Sequence, residues 1–155
     1  MRLSPLSQAK LASGELLGAS LLSGVTLSGA EVQVELGSPG AKALLFLTSS
    51  CYGCMPVWSS LRGISGPREV PDLRTRSGPS RGRRVIAVVP DPTTERPGAV
   101  SSLAPDWLEV VMSSKAWLEL CPGPAPWLIA ADGHRIAYSG PAPSSARKLR
   151  RLLRS

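Results

Sequence analysis

Polar and apolar residues alternate along Glu31-Val-Gln-Val-Glu-Leu36, the period-two pattern of a strand with one face exposed. After the turn signal Gly37-Ser-Pro-Gly40, Lys42 to Thr48 is almost wholly apolar, which predicts a strand buried on both faces. The period then changes. Val57, Leu61 and Ile64 form a helical stripe that Trp58 widens, predicting a helix over 55–64 with Pro56 in its first turn, where a missing N–H costs little. Val85-Ile-Ala-Val-Val-Pro90 is a second buried strand, and Asp91-Pro-Thr-Thr-Glu-Arg-Pro97 reads as a turn into a helix at about 95–104. A strand at Leu108–Ser113 and a short helix at Ser114–Leu120 follow, ended by Cys121-Pro-Gly-Pro-Ala-Pro126. Trp127–Ala131 and Arg135–Tyr138, joined by Asp132-Gly-His134, form a hairpin pattern. Ser145–Arg154 closes the chain as a helix with Leu149, Leu152 and Leu153 on one face.

Strands that alternate with helices suit parallel pairing through crossover connections, whereas the final hairpin must be antiparallel. The pattern therefore predicts an α/β domain with a central mixed sheet and helices on both faces. Residues 1–24, rich in Leu, Ser, Gly and Ala, are expected to be a loosely ordered lead-in with at most one short helix, and 25–155 the folded domain. Gly66–Arg84, rich in Gly, Pro, Ser and Arg, is expected to be a mobile loop.

The chain has 155 residues, 43% of them hydrophobic, which suffices for one domain with a real core and excludes a disordered chain. Three cysteines are too few for a secreted disulfide scaffold. There is no apolar run of membrane-spanning length, and the first ten residues lack the apolar core of an export signal. The chain is expected in the cytoplasm, or tethered to a membrane or extracytoplasmic if an upstream anchor precedes it. A formal charge of +7 suits nucleic acid, anionic lipid or an acidic protein. Neither basic segment, Arg74–Arg84 or the terminal helix, contains an aromatic residue to stack on bases, so no nucleic acid is expected.

Cys51-Tyr-Gly-Cys54 carries the candidate chemistry. Two cysteines with two residues between them close a small disulfide or share a metal. Three cysteines plus His134 would make a zinc ligand count, but no second closely spaced ligand pair exists and His134 falls in a turn, so no metal or other cofactor is expected. Between a strand and a helix the redox reading is favoured, because the first thiol meets the positive end of the helix, which favours thiolate. Cys121 is read as a small buried residue, with a third redox thiol as the alternative.

The stretches Leu44-Leu-Phe-Leu-Thr-Ser-Ser-Cys-Tyr-Gly-Cys54, Val85–Pro90 and Pro126-Trp-Leu-Ile-Ala-Ala-Asp-Gly133 together resemble the thioredoxin superfamily, and more narrowly the bacterial thioredoxin-like (redoxin, TlpA/MauD-type) domains, over about residues 30 to 154. The resemblance implies the thioredoxin fold and a protein-disulfide oxidoreductase that works without cofactor, as a monomer, on a disulfide- or thiol-bearing protein, with an unknown redox partner. Cys51 would be the nucleophile and Cys54 the resolving thiol. A cis-proline would present the substrate-docking edge; Ala125-Pro126 matches best and Gly123-Pro124 next, with Trp127 and Tyr52 as further substrate-binding candidates. Three positions depart from thioredoxins proper: Ser50 replaces a tryptophan, Gly53 a proline, and Leu45 a buried acid. Two other readings stay open. A redoxin-type peroxidase would need Pro-x-x-x-Thr-x-x-Cys, of which Thr48 is present but Leu44 stands in place of the proline. A non-catalytic binding module on the same fold is the other.

Overall fold

A computed structural model describes residues 16–64 and 84–154. The first part of the expected lead-in and most of the Arg-rich loop, including Arg74, Arg76, Arg81 and Arg83, lie outside the described residues. The elements run β1 (Leu21–Val25), β2 (Glu31–Glu35), β3 (Ala41–Phe46), α1 (Cys54–Arg62), β4 (Arg84–Val89), α2 (Pro97–Leu103), β5 (Glu109–Met112), α3 (Ser114–Leu120), β6 (Trp127–Asp132), β7 (Arg135–Pro141) and α4 (Ala146–Arg154).

The strands form one mixed sheet in the order β2-β1-β5-β4-β3-β6-β7. At its centre β3 pairs parallel with β4 and β4 with β5, each joined through a crossover that carries a helix. β6 returns antiparallel against β3, and β7 folds back on β6 through the Gly133-His134 turn, with Gly133 at φ +58°. This is the mixed sheet that the alternating pattern predicts.

Strand pleating divides the interior. Ala43, Leu45 and Leu47 point to one face and pack with Val57, Trp58 and Leu61 of α1, Val100 of α2, and Leu149 and Leu153 of α4. Leu44 and Phe46 point to the other and pack with Ile86, Val88, Ile129, and Ala116 and Leu120 of α3. Helices therefore cover both faces. Phe46 meets Trp117 edge-to-face, with ring centroids 5.9 Å apart, an arrangement that suits the aromatic quadrupole. Lys42 sits within buried β3, yet its ammonium donates to the carbonyls of Gly133 at 3.0 Å, Gly40 at 3.2 Å and Ser38 at 3.4 Å. Those bonds offset the cost of removing the charge from water.

The expected lead-in is shorter than the sequence pattern suggests. Leu21–Val25 is a true strand, paired antiparallel with β2 from Leu21 opposite Glu35 to Val25 opposite Glu31. Leu16 bridges Arg135, and Leu17 N–H donates to the His134 carbonyl at 2.9 Å. Ser23 and Gly24 hide the strand because they read as turn residues. Gly24 is needed for another reason: a Cβ there would lie 2.3 Å from the Met112 carbonyl oxygen, so its absence lets β1 approach β5.

Candidate active site

β3 and β4 run parallel, so both end at the same edge of the sheet. The connection from β3 to α1 crosses that edge. Leu47 N–H extends the ladder by one bond, donating to the Val88 carbonyl at 3.2 Å. The Thr48 carbonyl then accepts the indole N–H of buried Trp58 at 3.0 Å. Ser50 is exposed and leads into Cys51.

The two cysteines form the turn that starts α1. Cys54 N–H donates to the Cys51 carbonyl at 3.1 Å, and Met55 N–H to the Tyr52 carbonyl at 3.4 Å. Gly53 is the N-cap and gives no side-chain cap. Pro56, in the first turn, removes an N–H that would have had no partner within the helix. The turn makes the two thiols unequal. Cys51 is half-buried at the rim of the first core, whereas Cys54 is wholly buried within it. Burial, and next a hydrogen bond with Cys51, push the Cys54 thiol from 9.0 up to about 12, although Thr48 backbone and side-chain interactions pull the other way.

The chain brings a second segment to this turn from 74 residues away: the Cys51 Sγ lies 3.8 Å from the Ala125 carbonyl oxygen. The Ala125-Pro126 peptide is cis. A Cβ placed on Gly53 would meet Pro126 Cδ at 3.4 Å, so the two segments are in packing contact. Pro124, Tyr52 and Met55 are exposed, Tyr52 at 90%.

Other candidates lie elsewhere. Trp127 turns to the opposite face of the sheet, where it is 8% exposed among the second core and donates its indole N–H to Ser139 Oγ at 3.0 Å. It lines that core beside Gly123, whose absent Cβ would fall 2.4 Å from the Trp127 ring. Cys121 packs against the same second core, its Sγ 3.2 Å from the Gly123 carbonyl, and burial pushes its thiol up to about 11. His134 lies in the β6–β7 turn. Among the described residues no three His, Cys, Asp or Glu side chains gather as a metal site.

One residue beside the loop was silent in the sequence. Glu95 is 5% exposed and reaches the connection ahead of Cys51, where its carboxylate accepts from the backbone N–H of Ser49 at 3.2 Å and from the Ser49 hydroxyl. Within Asp91-Pro-Thr-Thr-Glu-Arg96 it looks like any solvated turn acid, and nothing in spacing marks it.

The unequal thiols predict a labelling pattern. At pH 8, iodoacetamide should modify Cys51 and leave Cys54 intact until denaturant exposes it, as peptide mapping will show. Because Cys54 releases its proton near 12 rather than 9.0, the folded protein favours the neutral thiol. The stability this provides in the dithiol form is complete below about pH 9 and declines as pH rises toward 12.

No family model matches the sequence, and no curated protein matches it. Solved structures do. The thioredoxin domain of a thiol-disulfide oxidoreductase from Bacteroides vulgatus superposes with a TM-score of 0.61 at 16% identity, covering 92% of this chain and 98% of that one. The exposed lipoprotein thioredoxin of Streptococcus pneumoniae gives 0.60 at 15% identity, covering 85% and 97%. A secreted disulfide oxidoreductase of Mycobacterium tuberculosis, homologous to E. coli DsbE, gives 0.57 at 15%, covering 85% and 93%. The chain has the thioredoxin fold.

Proposed function

We propose that the protein is a thiol–disulfide oxidoreductase that exchanges disulfides with cysteines of another protein through Cys51 and Cys54. The observation that carries this reading is the asymmetry of the pair: a half-buried Cys51 at the rim, facing the Ala125 carbonyl, over a wholly buried Cys54. Only the outer sulfur can meet a substrate, and only the inner one is placed to displace it.

In the reducing direction, the Cys51 thiolate attacks one sulfur of the substrate disulfide. The substrate S–S bond breaks, a mixed disulfide forms at Cys51, and the departing thiolate takes up a proton. Cys54 then loses its proton and attacks Cys51 Sγ, forming the Cys51–Cys54 bond and releasing the second substrate thiol. Two electrons pass from the pair to the substrate, and a dithiol donor restores the pair by the same exchange. The oxidising direction is the reverse. Tyr52, Met55, Pro124 and the Ala125-Pro126 edge form the surface a substrate strand would meet, and Trp127 supports that edge from the other core rather than touching the substrate.

The solved neighbours that are thiol-disulfide oxidoreductases support this chemistry by analogy of fold. Among the described residues no helix is long and apolar enough to cross a membrane. The two neighbours described as secreted or as an exposed lipoprotein favour an extracytoplasmic setting as the alternative to the cytoplasm. In that setting a dithiol donor must offset the surrounding oxidants.

The test is a trap. Cys54→Ser should accumulate a mixed disulfide between Cys51 and a protein substrate, visible on non-reducing gels and released by dithiothreitol. A Cys54→Ser chain that forms no mixed disulfide, or forms it at Cys121 and not at Cys51, would overturn the assignment.

A further inference from the structure

Three consecutive residues ahead of the cysteines are tied to three different elements: Leu47 to β4, Thr48 to Trp58 of α1, and Ser49 to Glu95 in the β4–α2 connection. The Glu95 tie is the most elaborate. Oε1 accepts the Ser49 N–H at 3.2 Å; Oε2 accepts the Ser49 hydroxyl and the Arg96 N–H, the latter at 3.2 Å. A carboxylate 5% exposed, which accepts from its own segment and from Ser49, 46 residues away, is a built junction rather than a solvated surface acid.

We propose that Glu95 is a positioning residue for Cys51, its carboxylate fixing the Ser49 hinge so that the Cys51 sulfur stays opposed to Cys54. This rests on the exchange activity proposed above. A disulfide forms only within a narrow range of Cβ–Cβ separation and torsion, so the tendency of the pair to close depends on how tightly the loop holds the first sulfur. Ser49 is two residues from Cys51, and Ser50 between them is exposed. The clamp at Ser49 is therefore well placed to limit how far Cys51 swings. A carboxylate suits the role because all three incoming groups are donors, and it is acceptor-only. Glutamine would turn an NH2 group toward at least one of them.

The experiment is a redox titration of the full chain in glutathione buffers, following the Cys51–Cys54 disulfide by mass, with urea denaturation run in parallel. Glu95→Gln should lower the equilibrium constant for disulfide formation roughly tenfold, through the lost effective concentration of the two thiols. Ser49→Ala, which removes one of the three donors and is the milder variant should Glu95→Gln fail to fold, should lower it by a smaller factor, on the order of threefold. The double variant should fall no further than Glu95→Gln, because both changes act on one contact. Wild-type equilibrium constants in both single variants, with only the urea midpoint reduced, would overturn the positioning role and leave the oxidoreductase standing. A wild-type chain that forms no Cys51–Cys54 disulfide in any buffer would instead remove the activity on which the role depends.

Discussion

Cys51→Ser should abolish catalysed disulfide exchange, lowering its rate by about a thousandfold or more, to the uncatalysed level. A serine hydroxyl does not ionise at neutral pH and is a poor attacker of a sulfur–sulfur bond. The remaining cysteines cannot take over. Cys54 is wholly buried and holds its proton up to about 12, and Cys121 lies against the other core with its thiol raised to about 11. Fold stability should change little, because Cys51 sits at the rim, where its sulfur makes a long 3.8 Å contact to the Ala125 carbonyl and a hydrogen bond with Cys54 that a serine hydroxyl can also make. Reaction with a small chromogenic disulfide, measured beside thermal unfolding, separates the two effects. Exchange retained in Cys51→Ser would mean that another group is the nucleophile.

Trp58→Ala should destabilise the domain by about 3–5 kcal/mol, a large share of the 5–15 kcal/mol typical of a domain. Trp58 is fully buried in the first core, and its indole N–H holds the Thr48 carbonyl at 3.0 Å. Truncation therefore opens a cavity and orphans a carbonyl in the loop that carries the site. Trp58→Phe keeps most of the volume and loses the bond, so about 1–3 kcal/mol is expected. Urea unfolding of the dithiol forms gives both values. The pair also tests the link between core and site: the alanine variant should lose the protection of Cys54 from alkylation at urea concentrations where wild type keeps it.

Much of this molecule is legible in its sequence, and the reasons differ by element. β3 and β4 are read from near-continuous apolar runs because both faces of a central strand are covered. α3 is read end to end because the Cys121–Pro126 break stops it, although its cap, Ser113, whose side chain accepts the Ala116 N–H, reads in the sequence as the end of the strand before it. The β6–β7 hairpin follows from Asp132-Gly133 between the apolar run Trp127–Ala131 and the short strand-forming segment Arg135–Tyr138. β1 is not legible, since Ser23 and Gly24 look like turn residues while Gly24 in fact admits a close strand approach. At the site, spacing and context mark Cys51 and Cys54, and the proline-rich break marks the segment that meets them. The side of the sheet is less visible. Trp127 looks like a groove residue because it follows Pro126, but one residue of strand pleat sends it to the opposite core. Glu95 is invisible for a different reason: its partner is 46 residues away, and only the fold brings them together.

The proposed exchange of disulfides between the Cys51–Cys54 pair and protein cysteines is tested by turnover of insulin disulfides by the wild-type chain with dithiothreitol as donor. Reduction should run well above the dithiothreitol background, and at the background level with Cys51→Ser. Wild-type rates equal to background, with no catalysed oxidation of a reduced protein in the reverse assay, would contradict it.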